Sequence, residues 1–244
     1  GVTRKATKRP CMVIPYSGTL HSCTTYIIEW FNDERKKRQI ENPFGWEEVF
    51  QPCAFLSRLV WDAIGDVVGE ARKAMSWLQE VSNICINEGV AIRWTTPTGF
   101  MVKQAYETWA GQSVRTVIGD VIRQHRVRVG TGKLGKAKNR NGLPPNKVHS
   151  LDKAIGEMAT LLNSSMGIKF QTTIHDAFIC LAADMGTMRT NVLDSVVEIF
   201  TPDILQRFSD EITCYLPNGV TLPELPQRGT LDVRLARGSE YFYN

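Results

Sequence analysis

Hydrophobic and polar positions recur along this chain with two periods, and those periods assign most of its elements. Leu56, Val60, Ile64, Val67, Ala71, Met75 and Leu78 keep a three-to-four spacing. That spacing predicts one long amphipathic helix of about 25 residues, beginning near Pro52 and stopped by Gly89. VAIRW (90–94) and FMVKQAY (100–106) read as two strands across the turn Thr96-Pro97-Thr98-Gly99. SVRTVI and VIRQHRVRV alternate on either side of Gly119-Asp120, a hairpin signal. The Gly- and Lys-rich stretch 130–142 reads as a mobile basic loop. Ser150 is placed to cap a helix running to Met166, with Gly167 as its stop. IKFQTTI and AFICLAA read as apolar strands flanking His175-Asp176, followed by helices at 184–200 and 203–215. Residues 19–31 look helical or mixed, Asp33–Arg38 is a charged exposed stretch, and Pro43 with Gly45 marks a loop. The pattern is that of a mostly helical α+β chain, without internal repeats or low-complexity tracts.

Composition narrows the class. The chain has 244 residues, 43% hydrophobic and 22% charged, enough for a real core. Nothing resembles a membrane span or a signal peptide. Six scattered cysteines form no CxxC pair, which favours reduced thiols over disulfides or zinc. The net charge of +4 conceals an uneven distribution. Residues 1–10 carry four Lys/Arg and no acid, and residues 115–147 carry nine Lys/Arg and one acid, Asp120. Such asymmetry points to a polyanion touched by two local surfaces. The chain opens on Gly1 inside a chemistry-bearing pattern, so a fragment or one subunit of something larger is expected.

Two short patterns carry candidate chemistry. Arg4, Lys8, Met12 and Tyr16 recur every four residues, so on a helix they form one stripe of two cations, a thioether and a phenol. Cations suit a polyphosphate, and the flat and soft side chains suit a base or a sugar. A solvated basic arm is the plainer reading of that composition. His175-Asp176 lies between two β-rich runs, where a carboxylate at a hairpin turn is held rigidly enough to bind a metal. An Asp in a tight turn is the plainer reading there.

Taken together these patterns resemble a known family. Arg4, Lys8, Tyr16 and Ser17-Gly18 resemble motif B of the single-subunit, phage- and mitochondrial-type RNA polymerases, and His175-Asp176 resembles their motif C. PPNKVHSLD (144–152), WTTPTGFMVKQAY (94–106) and the C-terminal LPQRGTLDVRLARGSEYFYN are similar to the family's corresponding segments, in the same order. Motif B is shared with family A DNA polymerases. Met12, where that family typically has an aromatic residue, and Ala177, where it has Glu after His-Asp, favour RNA synthesis. The sequence departs from the family at Pro10, expected to be harmless in a first helical turn, at Pro15, expected to end or kink the helix before Tyr16, and at Ser17.

The resemblance implies a right-hand fold with fingers and palm subdomains. It divides the chain into a fingers start with motif B (1–50), a scaffold helix and β-hairpin (51–106), a basic specificity-type hairpin and loop (107–147), and a palm with motif C and the tail (148–244). It implies RNA 3′-hydroxyl attack on an rNTP, with two Mg²⁺ ions held by Asp176 and by a second aspartate outside this chain. Arg4 and Lys8 would hold the triphosphate, Met12 would pack on the base, and Tyr16 would select ribose. His175 would position the primer end, and His149 would approach the sugar or the minor groove. Arg9, Arg115, Arg123, Arg126 and Arg128 would contact nucleic acid. The implied partners are a DNA template, nascent RNA, rNTPs and an N-terminal subunit or segment of the same polymerase. A phage-infected cell, or a mitochondrion or plastid, would be the setting. A family A DNA polymerase fragment and a non-catalytic nucleic-acid-binding module are the competing readings.

Overall fold

A computed structural model describes residues 2–39, 41–43 and 48–242. It mixes helices with three separate two-stranded antiparallel sheets, as expected for an α+β chain. The expected loop residue Gly45, and the last two residues of the aromatic tail, lie outside the described residues.

Helix α1 (Arg4–Met12) turns Ala6 and Pro10 inward and leaves Arg4, Lys8 and Met12 exposed. Pro10 is therefore near the C-terminal end of α1 rather than in its first turn. Val13 ends α1, and a separate 3₁₀ turn, Ile14–Tyr16, starts with Pro15 in its opening positions. Tyr16 thus sits on that turn, and the four-residue stripe is not one continuous helix. The cause is the one anticipated for Pro15, which lacks the N–H a further helical turn would need. Helix α2 (Leu20–Arg38) opens on a capping box between Thr19 and Ser22 and takes in the charged stretch to Arg38. Ile14, Cys23, Ile27, Cys53, Val60 and Ile64 close a first core between α1, α2 and α3 (Phe50–Val67).

The single long helix expected from residue 52 is two helices. Val68 leaves helical geometry at φ −122°, ψ 35°, and α4 (Gly69–Asn87) begins beside it. The Arg72 guanidinium reaches back over the Trp61 ring, 4.4 Å from its centroid, and donates to the Trp61 carbonyl at 2.9 Å. The apolar spacing runs through the break because both helices bury a face, so periodicity alone could not see it. Trp77, on α4, joins Val81, Cys85, Trp94, Leu143, Phe208 and Ile212 in a second core.

Strands β1 (Ile92–Thr95) and β2 (Met101–Gln104) pair as expected across the 96–99 turn. The hairpin of β3 (Glu107–Ile118) and β4 (Val121–Leu134) turns at Gly119-Asp120, as read from the sequence, and stands almost entirely exposed. At 14 residues, β4 would reach about 45 Å at a strand's rise per residue.

The mobile basic loop expected at 130–142 does not exist. Its first residues complete β4, and from Lys136 the chain enters α5 (Lys136–Ser165). Asn139, fully buried, organises this junction. Its amide donates to the carbonyls of Tyr106 and Gly135 at 2.8 and 2.9 Å, and its side-chain oxygen accepts from the Tyr106 amide at 3.1 Å. Those bonds anchor the start of a helix that Gly142, Pro144 and Pro145 would not favour. Ser150 is consequently mid-helix and caps nothing. Its hydroxyl donates to the Lys147 carbonyl at 2.7 Å and accepts from Trp94 Nε1 at 3.0 Å. The end of α5 agrees with the reading, Gly167 taking φ +86°. The division expected at 147/148 falls inside α5.

Strands β5 (Gln171–Ile174) and β6 (Ala177–Cys180) flank His175-Asp176, as expected. They are not core strands. Each covers only alternate residues, Phe178 and Cys180 packing on α5 and on α6 (Met185–Phe200) while Ile174 and Ile179 face outward. Helix α7 (Ile204–Thr213), capped by the Asp203 carboxylate, closes the second core with Phe208 and Ile212.

Candidate nucleotide-binding site

The candidate site is built where the turn after α1 meets α5. Ser17 adopts a left-handed conformation, φ 63°, ψ 32°. The Gly18 amide then bonds back to the Val13 carbonyl at 2.9 Å. A Cβ on Gly18 would stand 2.7 Å from that carbonyl oxygen, so only glycine fits. The Ser17 hydroxyl donates to the Asn141 carbonyl of α5 at 2.9 Å and accepts from Gln79 Nε2 of α4 at 3.2 Å. That carbonyl is free for a reason written in the sequence. In a helix, Asn141 would accept from residue 145, which is Pro145 and has no N–H.

This clamp sets Tyr16 against His149 on α5. Their rings stack at 4.9 Å between centroids and 10° between planes. Asn146, one turn before His149, is hooked to Gln104 and Tyr106 by side-chain bonds of 2.8 and 3.0 Å, which fixes this part of α5 against β2. One turn after His149 comes Asp152. Partial burial raises the Tyr16 phenol above its ordinary pKa, and the charges of Asp152 and Asp176 raise it further. Partial burial also raises Asp152. His149 opposes that shift and Asp176 adds to it. Tyr16, His149, Asp152 and Asp176 are therefore one electrostatic neighbourhood, assembled from both ends of the chain. Asp152 is the residue that the sequence reading missed. The signal was present in HSLD (149–152), since His and Asp three apart share a helix face.

Arg4 and Lys8 lie on α1, which leads into the turn that carries Tyr16. Among the described residues, neither Arg4 nor Lys8 pairs with an acid, and both are exposed together with Met12. Arg9 differs, because its guanidinium meets Glu29 of α2 at 2.7 Å. His175 occupies the β5–β6 turn at φ 56°. Asp176 follows it at the edge of a cavity of about 570 Å³ whose walls include Phe178, Met185, Met188, Arg189 and Phe242.

Asp176 does not make a magnesium site by itself. Among the described residues, no group of three or more His, Cys, Asp or Glu side chains could hold a metal. Asp176, with Asp152 as a second carboxylate nearby, offers hard oxygen donors suited to magnesium. Water and substrate phosphates would have to supply much of an octahedral set there.

The β3–β4 register sorts the basic side chains of the hairpin. Arg115 faces Gln124, Ser113 faces Arg126 and Gly111 faces Arg128, so Arg115, Arg126 and Arg128 share one face. Arg123 and His125 lie on the other. A Cβ on Gly111 would come 2.6 Å from Arg126 Nε, so the missing side chain leaves room for that guanidinium.

The family model for DNA-dependent RNA polymerase matches residues 1–219. The chain belongs to the DNA-dependent RNA polymerase family. The match covers α1, the His149 helix and the His175-Asp176 hairpin together. Similar proteins include DNA-directed RNA polymerase 2, chloroplastic/mitochondrial, of Arabidopsis thaliana (30% identical) and DNA-directed RNA polymerase 1B, mitochondrial, of Nicotiana tabacum (29%). Each alignment takes in the whole of this chain and 23% of the relative. DNA-directed RNA polymerase 2A of Nicotiana tabacum is 27% identical, and this family member spans 70% of its length.

Proposed function

We propose that the chain forms the nucleotide-binding half of a template-directed RNA polymerase active site, spanning the fingers (α1 to α2) and the palm (α5 to α6). The observation that carries this reading is the Tyr16–His149 stack beside two carboxylates, at the foot of an exposed helix bearing Arg4, Lys8 and Met12. Arg4 and Lys8 grip the triphosphate of an rNTP, their unpaired charges opposing the negative charge that grows on the leaving pyrophosphate. Lys8, one turn nearer Tyr16, is the one placed to donate a proton to it. Met12 lies under the base. The Tyr16 phenol stays protonated at neutral pH, so it can donate to or accept from a ribose hydroxyl. His149, held flat against Tyr16, faces the sugar edge. His175 positions the RNA 3′ end, and Asp176 is the metal ligand. Magnesium, when bound, would polarise the α-phosphate, with a second aspartate supplied from outside this chain. The face carrying Arg115, Arg126 and Arg128 tracks DNA phosphates, with Arg9 and Arg123 in lesser contacts. The remaining partners are the DNA template, the nascent RNA and the N-terminal part of the polymerase. The organellar names of the relatives favour a mitochondrion or plastid over a phage-infected cytoplasm as the setting.

The test is Asp176→Asn in the full-length protein, assayed for RNA extension on a primed template and, in parallel, for template binding. Extension lost with binding retained is the expected result. Extension within a few-fold of the parent would remove Asp176 from metal binding. Incorporation of dNTPs in preference to rNTPs by the parent protein would favour the DNA polymerase alternative.

A further inference from the structure

On the side of α5 facing α7, away from Tyr16, lies a second cavity that the polymerase reading leaves unused. It measures about 330 Å³ and is bounded by Thr95 and Pro97, by Lys147 and Leu151 of α5, and by Ile204, Arg207, Phe208, Asp210 and Glu211 of α7. Lys147 is its unusual member. The residue is 5% exposed, yet no described acid pairs with its ammonium. Its Nζ lies instead over the Phe208 ring at 4.7 Å and the Trp94 ring at 5.8 Å. A buried ammonium without an anion is costly, and two ring faces recover only part of its lost hydration.

The acids nearby are already engaged. The Glu211 carboxylate accepts from the Thr95 amide at 2.9 Å and from the Thr95 hydroxyl at 2.7 Å. Asp210 accepts from the Gln206 amide at 2.7 Å. Among the described residues, the Arg207 guanidinium has no acid partner either. Lys147 and Arg207 thus bring donor capacity that no acid of the cavity takes up as an ion pair, while Pro97, Leu151, Ile204 and Phe208 supply apolar wall. The volume exceeds what a bare oxyanion fills.

We propose that this cavity binds a small organic monoanion, its oxyanion head on Lys147 and Arg207 and its apolar body against Pro97, Leu151, Ile204 and Phe208. The head supplies the counter-charge that Lys147 lacks. The body displaces water from the apolar wall. The inference stands apart from the polymerase reading, since none of these residues borders Tyr16 or Asp176, and either can fail without the other.

The experiment uses the full-length protein, ligand-observed NMR and calorimetry, and three probes at constant ionic strength: benzoate, which has head and body; inorganic phosphate, which has only a head; and benzyl alcohol, which has only a body. A site of this size should hold benzoate with a dissociation constant on the order of 1 mM. The expected result is benzoate binding that exceeds both controls and weakens at least tenfold in Lys147→Met, a substitution that keeps the volume and removes the charge. Arg207→Gln should weaken it too. Benzoate bound equally by the parent and Lys147→Met would overturn the proposal, as would no benzoate binding. Phosphate binding as tightly as benzoate would overturn the apolar body, and benzyl alcohol binding as tightly would overturn the anionic head.

Discussion

Replacing Lys147 with Met should make the protein more stable, although it deletes the only polar atom of a buried side chain. Burial pushes the Lys147 ammonium from its ordinary 10.5 down to about 8. Glu211 partly offsets this and Arg207 adds to it. A shift of that size, at about 1.36 kcal/mol per unit, amounts to roughly 3 kcal/mol against the folded state wherever the group is charged in both states. Contact with Phe208 and Trp94 returns about 1 kcal/mol of it. Met fills similar volume and needs no hydration. The net gain should be about 2 kcal/mol at pH 7. The sign follows from linkage. The folded state releases this proton more readily than the unfolded chain does, so the penalty is complete below pH 8 and fades as pH rises from 8 towards 10.5. Urea denaturation followed by tryptophan fluorescence, in buffers free of phosphate and carboxylates, should find Lys147→Met ahead of the parent at pH 7. The gap should shrink by more than half by pH 10 and close above pH 10.5. The comparison between variants cancels every other group that titrates in that range. A gap that is the same at both pH values, or a variant less stable at pH 7, would refute the reasoning.

Three further outcomes follow from the site. Tyr16→Phe keeps the ring on His149 and loses the hydroxyl, so dNTP incorporation relative to rNTP should rise at least tenfold with little change in rNTP turnover; unchanged discrimination would take Tyr16 out of sugar selection. Gly18→Ala forces a methyl against the Val13 carbonyl, so unfolding should require about 2 kcal/mol less and the KM for rNTP should rise as Tyr16 moves; a silent substitution would mean the turn relaxes freely. Arg126→Gln with Arg128→Gln removes two cations from one face of the hairpin, and the salt dependence of DNA binding should lose a slope of about 2, read from affinities at several salt concentrations; a slope equal to the parent's would clear that face of phosphate contacts.

The local half of this molecule was legible in the sequence, and the long-range half was not. The β5–β6 turn, the 119–120 hairpin and the stop at Gly167 all follow from signals within a few residues. The stretch 130–142 misled because its glycines and lysines describe a loop, whereas Asn139 settles the matter through bonds to Tyr106, which is 33 residues away. The α3–α4 break hid behind an apolar spacing that both helices share. At the site, the cationic stripe and His-Asp stood out as local patterns. Asp152 did not, because its interest lies in neighbours 24 and 136 residues off, Asp176 and Tyr16. Lys147 looked like one more basic residue in a basic tract. Only the packing of α7 over it makes it a buried charge.

The bond from Ser17 to Asn141 joins positions 124 residues apart. Closing a loop of that length costs entropy that no neighbouring contact repays in advance. The helices and hairpins can each form from local contacts, so the clamp that seats Tyr16 on His149 belongs among the last native features to appear. The two hydrogen bonds of the half-buried Ser17 hydroxyl and the Tyr16–His149 stack hold it on α4 and α5, so it is a weaker joint than the buried cores. Pro145 makes the clamp possible by leaving a helix carbonyl without its internal donor, and so it links a folding step to a working one. Ile14, on the same turn, is anchored in the first core, so an opened clamp would free Tyr16 from α5 without releasing the whole turn.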